Sequence, residues 1–203
     1  MAEVVSLRQG PLDVGPVGRR GLGWWAVGTL VATEAALFAY LLFSYFYTGA
    51  VAPRGWVLEP HPVLKLALPN TILLLSSSLV AWYGERGVLT RKHAQALIGF
   101  GGAFLMACLF AAVQVLEWKS KPFSIGTSSY GSLFFVTTGF HMAHVAVGIA
   151  VLAAIFIWTA LDYFSPRRSL SVSAGVLYWH FVDFVWLFIF SSFYISPYLG
   201  FGQ

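Results

Sequence analysis

The chain has 203 residues, of which 58% are hydrophobic and only 10% are charged. A soluble domain carries about 25% charged residues, so this chain cannot cover itself with polar surface and is predicted to be a membrane protein. At about 20 apolar residues per helical span, several spans leave no room for a separate soluble catalytic domain. The net charge of +4 comes from scattered basic residues, which argues against a nucleic-acid partner. A single cysteine, Cys108, excludes a disulfide framework and a thiolate metal site.

Charges and prolines divide the chain into a polar leader, five apolar spans and a short tail. The leader is residues 1–23, the transmembrane domain is residues 24–195, and the tail is residues 196–203. The spans, in chain order, lie at about 24–47, 66–83, 94–116, 130–161 and 172–195. They are apolar on every side, unlike the alternating strands of a membrane barrel. We therefore predict an all-α, polytopic membrane bundle with five transmembrane helices.

Basic residues in the flanks of the spans predict the orientation of the bundle. Eight Lys and Arg residues flank the spans on the side of the leader, against four on the opposite side. Since loops with more Lys and Arg remain in the cytoplasm, we predict a cytoplasmic N-terminus. After five crossings the C-terminus is then predicted to lie outside.

Ionisable residues inside the spans are the candidate functional residues, because each costs about 2.5–3.5 kcal/mol to insert at the centre of a span. Glu34 lies in the middle of the first span and has no cation on its own helix. We expect it to be protonated unless another helix supplies a partner. Two interpretations stay open, a proton-binding or lipid-contacting carboxyl and a carboxylic acid hydrogen-bonded between helices.

Two further pairs lie in the fourth and fifth spans. His141 and His144 are three residues apart and share a helix face. A zinc or copper site would need more ligands, and only Glu34, His180 and Asp183 are available. Packing between helices is therefore favoured, and no metal site is predicted.

His180 and Asp183 are also three apart, so the carboxylate could fix the imidazole tautomer, for structure or for catalysis. No catalytic residue is predicted.

All five candidates are predicted to lie in a single layer near mid-depth. A proton pump or channel needs a relay that reaches both surfaces, and no second acidic layer is expected above or below. A single layer favours helix packing and docking to other subunits. Small residues at four-residue spacing predict close-packing seams, at Ala32/Ala36, Gly99/Ala103/Ala107 and Ala146/Ala150.

Two long motifs resemble a known family. The stretch Ser129–Val145, SYGSLFFVTTGFHMAHV, is similar to the Y-G-S-x-F-F-x-x-T-G-F-H-x-x-H-V signature of subunit III of haem-copper terminal oxidases, most closely that of cytochrome c oxidase. The stretch Tyr178–Phe188, YWHFVDFVWLF, is similar to that family's Y-W-H-F-V-D-x-V-W-L-F signature. Glu34 falls where the family carries a buried helix carboxylate. The resemblance covers about residues 19–195.

The resemblance implies an accessory, non-redox subunit of a proton-pumping terminal oxidase, which reduces oxygen in aerobic respiration. Such a subunit packs against the catalytic subunit I, binds phospholipid, and supports the catalytic subunit's stability and proton uptake. Haem and copper are then expected in partner subunits and no cofactor in this chain. The partners expected are subunit I, the other oxidase subunits and membrane lipids. We expect the inner (plasma) membrane of a bacterium rather than the mitochondrial inner membrane.

The sequence departs from the family pattern in two ways. Longer members have seven helices and the resemblance starts at their third, so we expect another subunit to supply the first two or the lipid cleft to be altered. Where the family often places arginines for lipid phosphates, this chain has Trp24 and Trp158, with Arg19 and Arg20 nearby. These four residues and Trp25 are the candidate lipid contacts.

Three alternative functions stay open. One is the equivalent subunit of a quinol oxidase or nitric-oxide reductase. Another is a small proton-coupled transporter centred on Glu34, and a third is a membrane metalloenzyme that uses His141 and His144.

Overall fold

A computed structural model describes residues 22–57, 64–166 and 169–202 of the chain. Over these ranges it contains no strand and five long helices, each apolar enough to cross a membrane. The helices are α1 (Leu22–Val51), α2 (Leu64–Leu89), α3 (His93–Ser120), α4 (Ser129–Ala160) and α5 (Leu170–Phe190). The five-helix, all-α prediction is confirmed. The orientation stays a prediction, and nearly all of the predicted leader lies outside the described residues.

The first three helices, α1, α2 and α3, are longer than the apolar spans that predict them. α2 continues through the polar segment after Tyr83 and ends at Leu89, where the Thr90 hydroxyl donates to the Arg86 carbonyl at 2.8 Å. Pro69, which the sequence places near the start of the span, lies inside this helix. Hydropathy detects only the part of a helix that suits hydrocarbon, whereas backbone hydrogen bonds extend it into the polar boundary.

α5 occupies the centre of the bundle and contacts α1, α2 and α4. Its two fully buried tryptophans bind α2, because Trp179 Nε1 donates to Ser77 Oγ at 3.0 Å and Trp186 Nε1 donates to Thr71 Oγ1 at 2.9 Å. α1 is the peripheral helix and packs mainly on α4 and α5. The bundle is thus organised around the helix that carries His180 and Asp183.

The largest helix interface joins α2 to α3 and depends on glycine. A Cβ added at Gly99 would lie 2.3 Å from the Gly84 Cα, and one added at Gly87 would lie 2.5 Å from the Ala96 nitrogen. The predicted seam at Gly99, Ala103 and Ala107 is therefore confirmed, and both alanines are fully buried.

The other two predicted seams are wrong as packing surfaces within this chain. Ala32 and Ala36, and likewise Ala146 and Ala150, are exposed. α4 instead approaches α5 through Gly148, where an added Cβ would lie 2.5 Å from the Trp179 ring. The interface between α4 and α5 is therefore a large aromatic ring packed on a glycine, and not two small-residue faces in close contact.

Beyond α5 the chain forms a π-helical turn, Ser191–Ile195, and a 3-10 turn, Ser196–Leu199. The Tyr45 hydroxyl and Ser196 Oγ are 3.0 Å apart, and the Val57 nitrogen donates to the Gly202 carbonyl at 3.2 Å. We call this end of the bundle, with the α1–α2 and α3–α4 connections, the C-terminal end. The opposite end, with the α2–α3 and α4–α5 connections, is the N-terminal end.

Candidate functional site: a mid-depth polar layer and a buried ion pair

Glu34 on α1 meets His144 on α4, so another helix does supply its partner. Glu34 Oε2 and His144 Nε2 are 3.0 Å apart, and the two side chains are 28% and 15% exposed. The Phe38 ring lies edge-on to the imidazole, with ring centroids 5.0 Å apart. The pair is therefore reachable from the surface of the bundle between α1 and α4.

Hydrogen bonds around His144 fix how many protons the pair holds. The Phe140 carbonyl can only accept, so His144 Nδ1, 2.7 Å away, must carry a proton and donate it. One further proton then joins Nε2 to Glu34 Oε2. Whether that proton sits on the carboxyl or on the imidazole, the contact persists.

Tyr178 supports this pair from α5. It is a site residue that the sequence did not predict. Its hydroxyl donates to the His144 carbonyl at 3.2 Å, and only 9% of the residue is exposed. An aromatic residue next to a tryptophan in an apolar span gives no signal that separates a buried donor from an interfacial anchor.

His141 is fully buried and contacts α5. Because the Val182 carbonyl only accepts, His141 Nε2 donates to it, at 3.2 Å. The ring lies against Trp186, with centroids 4.8 Å apart, and near Phe110. This arrangement matches a histidine packed and hydrogen-bonded between helices.

His180 and Asp183 do not bond to each other. His180 Nδ1 lies 2.9 Å from Ser78 Oγ on α2. Asp183 is 4% exposed, and neither of its oxygens makes a hydrogen bond to any residue that the structure describes, although Ser78 lies beside it. The Asp183 carboxylate is thus not placed to fix the His180 tautomer.

No three His, Cys, Asp or Glu side chains in the described ranges come together as a metal site. His141 and His144 share a helix, but His141 contacts α5 whereas His144 contacts α1. The two imidazoles therefore serve different helix interfaces.

The candidate lipid contacts lie at the N-terminal end, as far as they are described. Trp25 is 63% exposed and Trp158 is 47% exposed, whereas Trp24 is half-buried. Trp158 also packs against Tyr163 and Phe164 in the α4–α5 connection. Arg19 and Arg20 lie outside the described residues.

A second acidic group, Glu117, is buried at the C-terminal end of α3. It is 3% exposed, Lys121 Nζ lies 2.8 Å from its Oε1, and the Tyr194 hydroxyl donates to the same oxygen at 2.6 Å. The Lys121 ammonium also lies 5.1 Å from the centres of the Phe134 and Tyr194 rings. We call Gln114, Glu117, Lys121, Tyr130, Thr137 and Tyr194 the end cluster.

Glu117 corrects the expectation of a single acidic layer. It lies one residue beyond the predicted end of the third span, at a boundary where charged residues normally face solvent. The signal that could have revealed it is the spacing of Glu117 and Lys121, which are four residues apart and therefore adjacent on a helix.

Comparison with known proteins identifies the family. A family model described as cytochrome c oxidase subunit III matches residues 16–198. Cytochrome c oxidase subunit 3 of Locusta migratoria is 32% identical over 183 residues, which cover 86% of this chain and 69% of that protein. The Gallus gallus protein of the same name is 30% identical over 188 residues, covering 88% and 71%. The Emericella nidulans protein is 34% identical over 181 residues, covering 85% and 66%. This chain therefore belongs to the cytochrome c oxidase subunit III family and is an accessory subunit of such an oxidase.

Proposed function

We propose that this oxidase subunit supports the stability and proton uptake of the catalytic subunit and has no redox centre of its own. Haem and copper then belong to partner subunits, with subunit I as the catalytic partner. The observation that carries the proposal is the Glu34–His144 pair. Its Oε2 and Nε2 atoms lie 3.0 Å apart at a partly exposed position. By contrast, His141 is fully buried and Asp183 is 4% exposed.

The chemistry of the pair suits a reversible proton store. One proton lies between Nε2 and Oε2, and His144 Nδ1 is held by the Phe140 carbonyl. Transfer of the shared proton needs no rotation of either side chain, because each atom can serve as donor or acceptor. A carboxyl–imidazole pair of this kind can pass the proton from one side chain to the other without disturbing the packing of α1 on α4.

The outer surface of α1 is where we expect partner subunits and phospholipid to cover this chain. Tyr40, Phe43 and Tyr47 are between 60% and 70% exposed, and Phe43 stacks on Tyr47. A peripheral helix with exposed aromatic side chains suits either hydrocarbon or another membrane helix.

Exposed tryptophans at the N-terminal end suit contact with lipid headgroups. The indole ring has an apolar body and one N–H donor, and tryptophan is enriched at membrane boundaries for that reason. We propose Trp25 and Trp158 as lipid contacts on this multi-pass membrane protein, with Trp24, Arg19 and Arg20 as further candidates. The membrane we propose is the inner membrane of a bacterium.

Removal of the subunit from its own oxidase tests the function. We expect the remaining complex to lose activity faster during turnover and to take up protons more slowly, with its haem spectrum unchanged. Turnover with cytochrome c as donor, followed over time, measures this. Unchanged activity and unchanged inactivation kinetics would rule out the supporting role.

Restoration with variants tests the Glu34–His144 pair itself. Glu34→Gln can hydrogen-bond to His144 but cannot hold an exchangeable carboxyl proton, so we expect normal assembly with faster inactivation. Thr33→Ala is the matched control, because the exposed neighbouring hydroxyl only bonds to the Leu30 carbonyl. If Glu34→Gln restores proton uptake as fully as the wild-type chain, the pair serves packing alone.

A further inference from the structure

The end cluster contains more buried polar atoms than its own hydrogen bonds satisfy. Gln114 and Thr137 are fully buried, Tyr130 is 1% exposed and Glu117 is 3% exposed. Five atoms of the cluster have no hydrogen bond of ordinary geometry to any described residue: both amide atoms of Gln114, Glu117 Oε2, the Tyr130 hydroxyl and Thr137 Oγ1. The Gln114 amide nevertheless lies beside the Tyr194 hydroxyl. Buried polar groups in proteins are almost always hydrogen-bonded to protein or to ordered water. So many unpartnered atoms in one region point to a bound polar ligand.

Helix register brings Gln114 and Thr137 to the same level of the bundle. The two helices that carry them, α3 and α4, run antiparallel. The Tyr194 hydroxyl donates to Glu117 on α3, and the Tyr194 ring lies edge-on to Phe134 on α4, so Glu117 and Phe134 lie at about the same level. One turn earlier on α3 is Gln114, and one turn later on α4 is Thr137. Because the two helices run in opposite directions, both steps lead toward the middle of the bundle. Gln114 and Thr137 therefore lie at about the same level.

Thr137 behaves differently from the other buried threonines in the described chain. Thr71, Thr138 and Thr159 each donate to the carbonyl four residues earlier, at 2.7 to 2.8 Å. Thr137 makes no such bond. Its hydroxyl is therefore free to serve a group outside its own helix.

The chemistry of the donors and acceptors selects the ligand. Glu117 would repel an anion. A cation would have to compete with Lys121, whose ammonium is already 2.8 Å from the same carboxylate, and would meet the Gln114 amide donor. Carboxylate and ammonium cancel each other's charge, so a neutral ligand that both donates and accepts fits the mixed set of groups. Water has these properties, and a buried water makes about three hydrogen bonds.

We propose that Gln114, Glu117 and Thr137 bind internal water between α3 and α4, next to the Glu117–Lys121 ion pair. Water in this place joins two helices that share few direct polar contacts. It also hydrates the free oxygen of Glu117, which lowers the cost of holding a carboxylate there. The inference concerns the end cluster alone and does not depend on the role of Glu34.

A high-resolution structure of the complete oxidase complex is the direct test, and it needs no variant. We expect an isolated density peak within about 2.7–3.2 Å of both the Gln114 amide and Thr137 Oγ1, as hydrogen bonds require. Direct bonds between these side chains with no peak would overturn the proposal. A peak surrounded only by oxygen atoms at metal-ligand distances would identify a cation and overturn it equally.

A double-mutant cycle in the complex is the second test. Gln114→Met and Thr137→Val remove the polar atoms at nearly constant size. If one water joins the two residues, either variant releases it, and the double variant lowers the unfolding midpoint by less than the two single shifts together. Additive shifts would contradict a shared water. The control cycle pairs Gln114→Met with Thr159→Val, near the N-terminal end of the bundle, and is expected to be additive.

Discussion

Two glutamates in this chain are held within the helix bundle by different means. Glu34 pairs with an imidazole that can give or take a proton, and the pair is partly exposed. Glu117 pairs with a lysine and a tyrosine hydroxyl, and it is almost completely buried. A fixed cation suits a structural carboxylate, whereas a titratable partner suits a group that exchanges protons.

Replacement of Glu34 separates hydrogen bonding from packing. Glu34→Leu leaves His144 Nε2 without a partner, and we expect a loss of about 1–2 kcal/mol in the free energy of unfolding. Glu34→Gln keeps a donor in place, so its loss is expected to be smaller. Thermal unfolding of the detergent-solubilised complex measures both. Equal losses would show that the hydrogen bond contributes nothing to stability.

Removal of the Lys121 ammonium tests the buried ion pair. Lys121→Met leaves the Glu117 carboxylate buried without its cation, and breaking a buried pair in this way costs about 3–5 kcal/mol. The double variant Glu117→Gln, Lys121→Met removes both charges and is expected to recover much of that loss. Lys119→Met is the control, since Lys119 is exposed two residues earlier. A Lys121→Met variant as stable as Lys119→Met would show that the pair is unimportant.

At the scale of elements, the α2–α3 interface is the most constrained part of the bundle. Both sides of each close contact are backbone atoms, so no side chain can move aside. We expect Gly99→Ala to force the helices apart and to lower stability by about 1–3 kcal/mol or more. Gly28→Ala on α1 is the control, because a Cβ there meets nothing within 4 Å. Unfolding midpoints of the two variants should differ clearly, and matching midpoints would argue against this packing.

The existence of the helices was predictable from sequence, while the choice of their packing faces was only partly so. Long apolar runs bounded by charges and prolines define spans because hydrocarbon tolerates neither exposed backbone nor unpaired charge. Small-residue spacing identified the seam at Gly99. It failed for Ala32 and Ala146, because the same spacing occurs on helix faces that turn away from the bundle.

The candidate site shows a similar division. Glu34 and His144 could be selected because ionisable groups stand out in an apolar span, but their pairing depends on how α1 crosses α4. Glu117 follows the predicted end of the third span, and hydropathy cannot tell whether a charge near a helix end faces solvent or the bundle interior. Contacts between distant segments decided both cases.

The whole molecule is asymmetric along its axis. Among the described residues, the buried polar side chains other than Thr159 lie at mid-depth or toward the C-terminal end; they are Asn70, Thr71, Ser77, Ser78, Gln114, Glu117, Thr137, Thr138, His141, Asp183 and Ser192. The N-terminal half of the interior is packed mainly by glycine, alanine and aliphatic residues. If the positive-inside prediction holds, the polar half of the interior faces the outside.

Reporter fusions test that orientation. An enzyme that is active only outside the cytoplasm should be active when fused after residue 203 and inactive when fused in the α2–α3 connection near Arg91. The reverse pattern would place the N-terminus outside and contradict the prediction from Lys and Arg residues.

Affinity purification of the complex through this chain tests the central claim most directly. A tag on the chain, with gentle detergent and reduced-minus-oxidised spectra, should recover a haem-containing assembly that oxidises cytochrome c. Stronger detergent should then release the tagged chain free of haem and copper, with the redox centres left on its partners. Recovery of the chain without any haem protein, or with haem bound to the chain itself, would contradict the account.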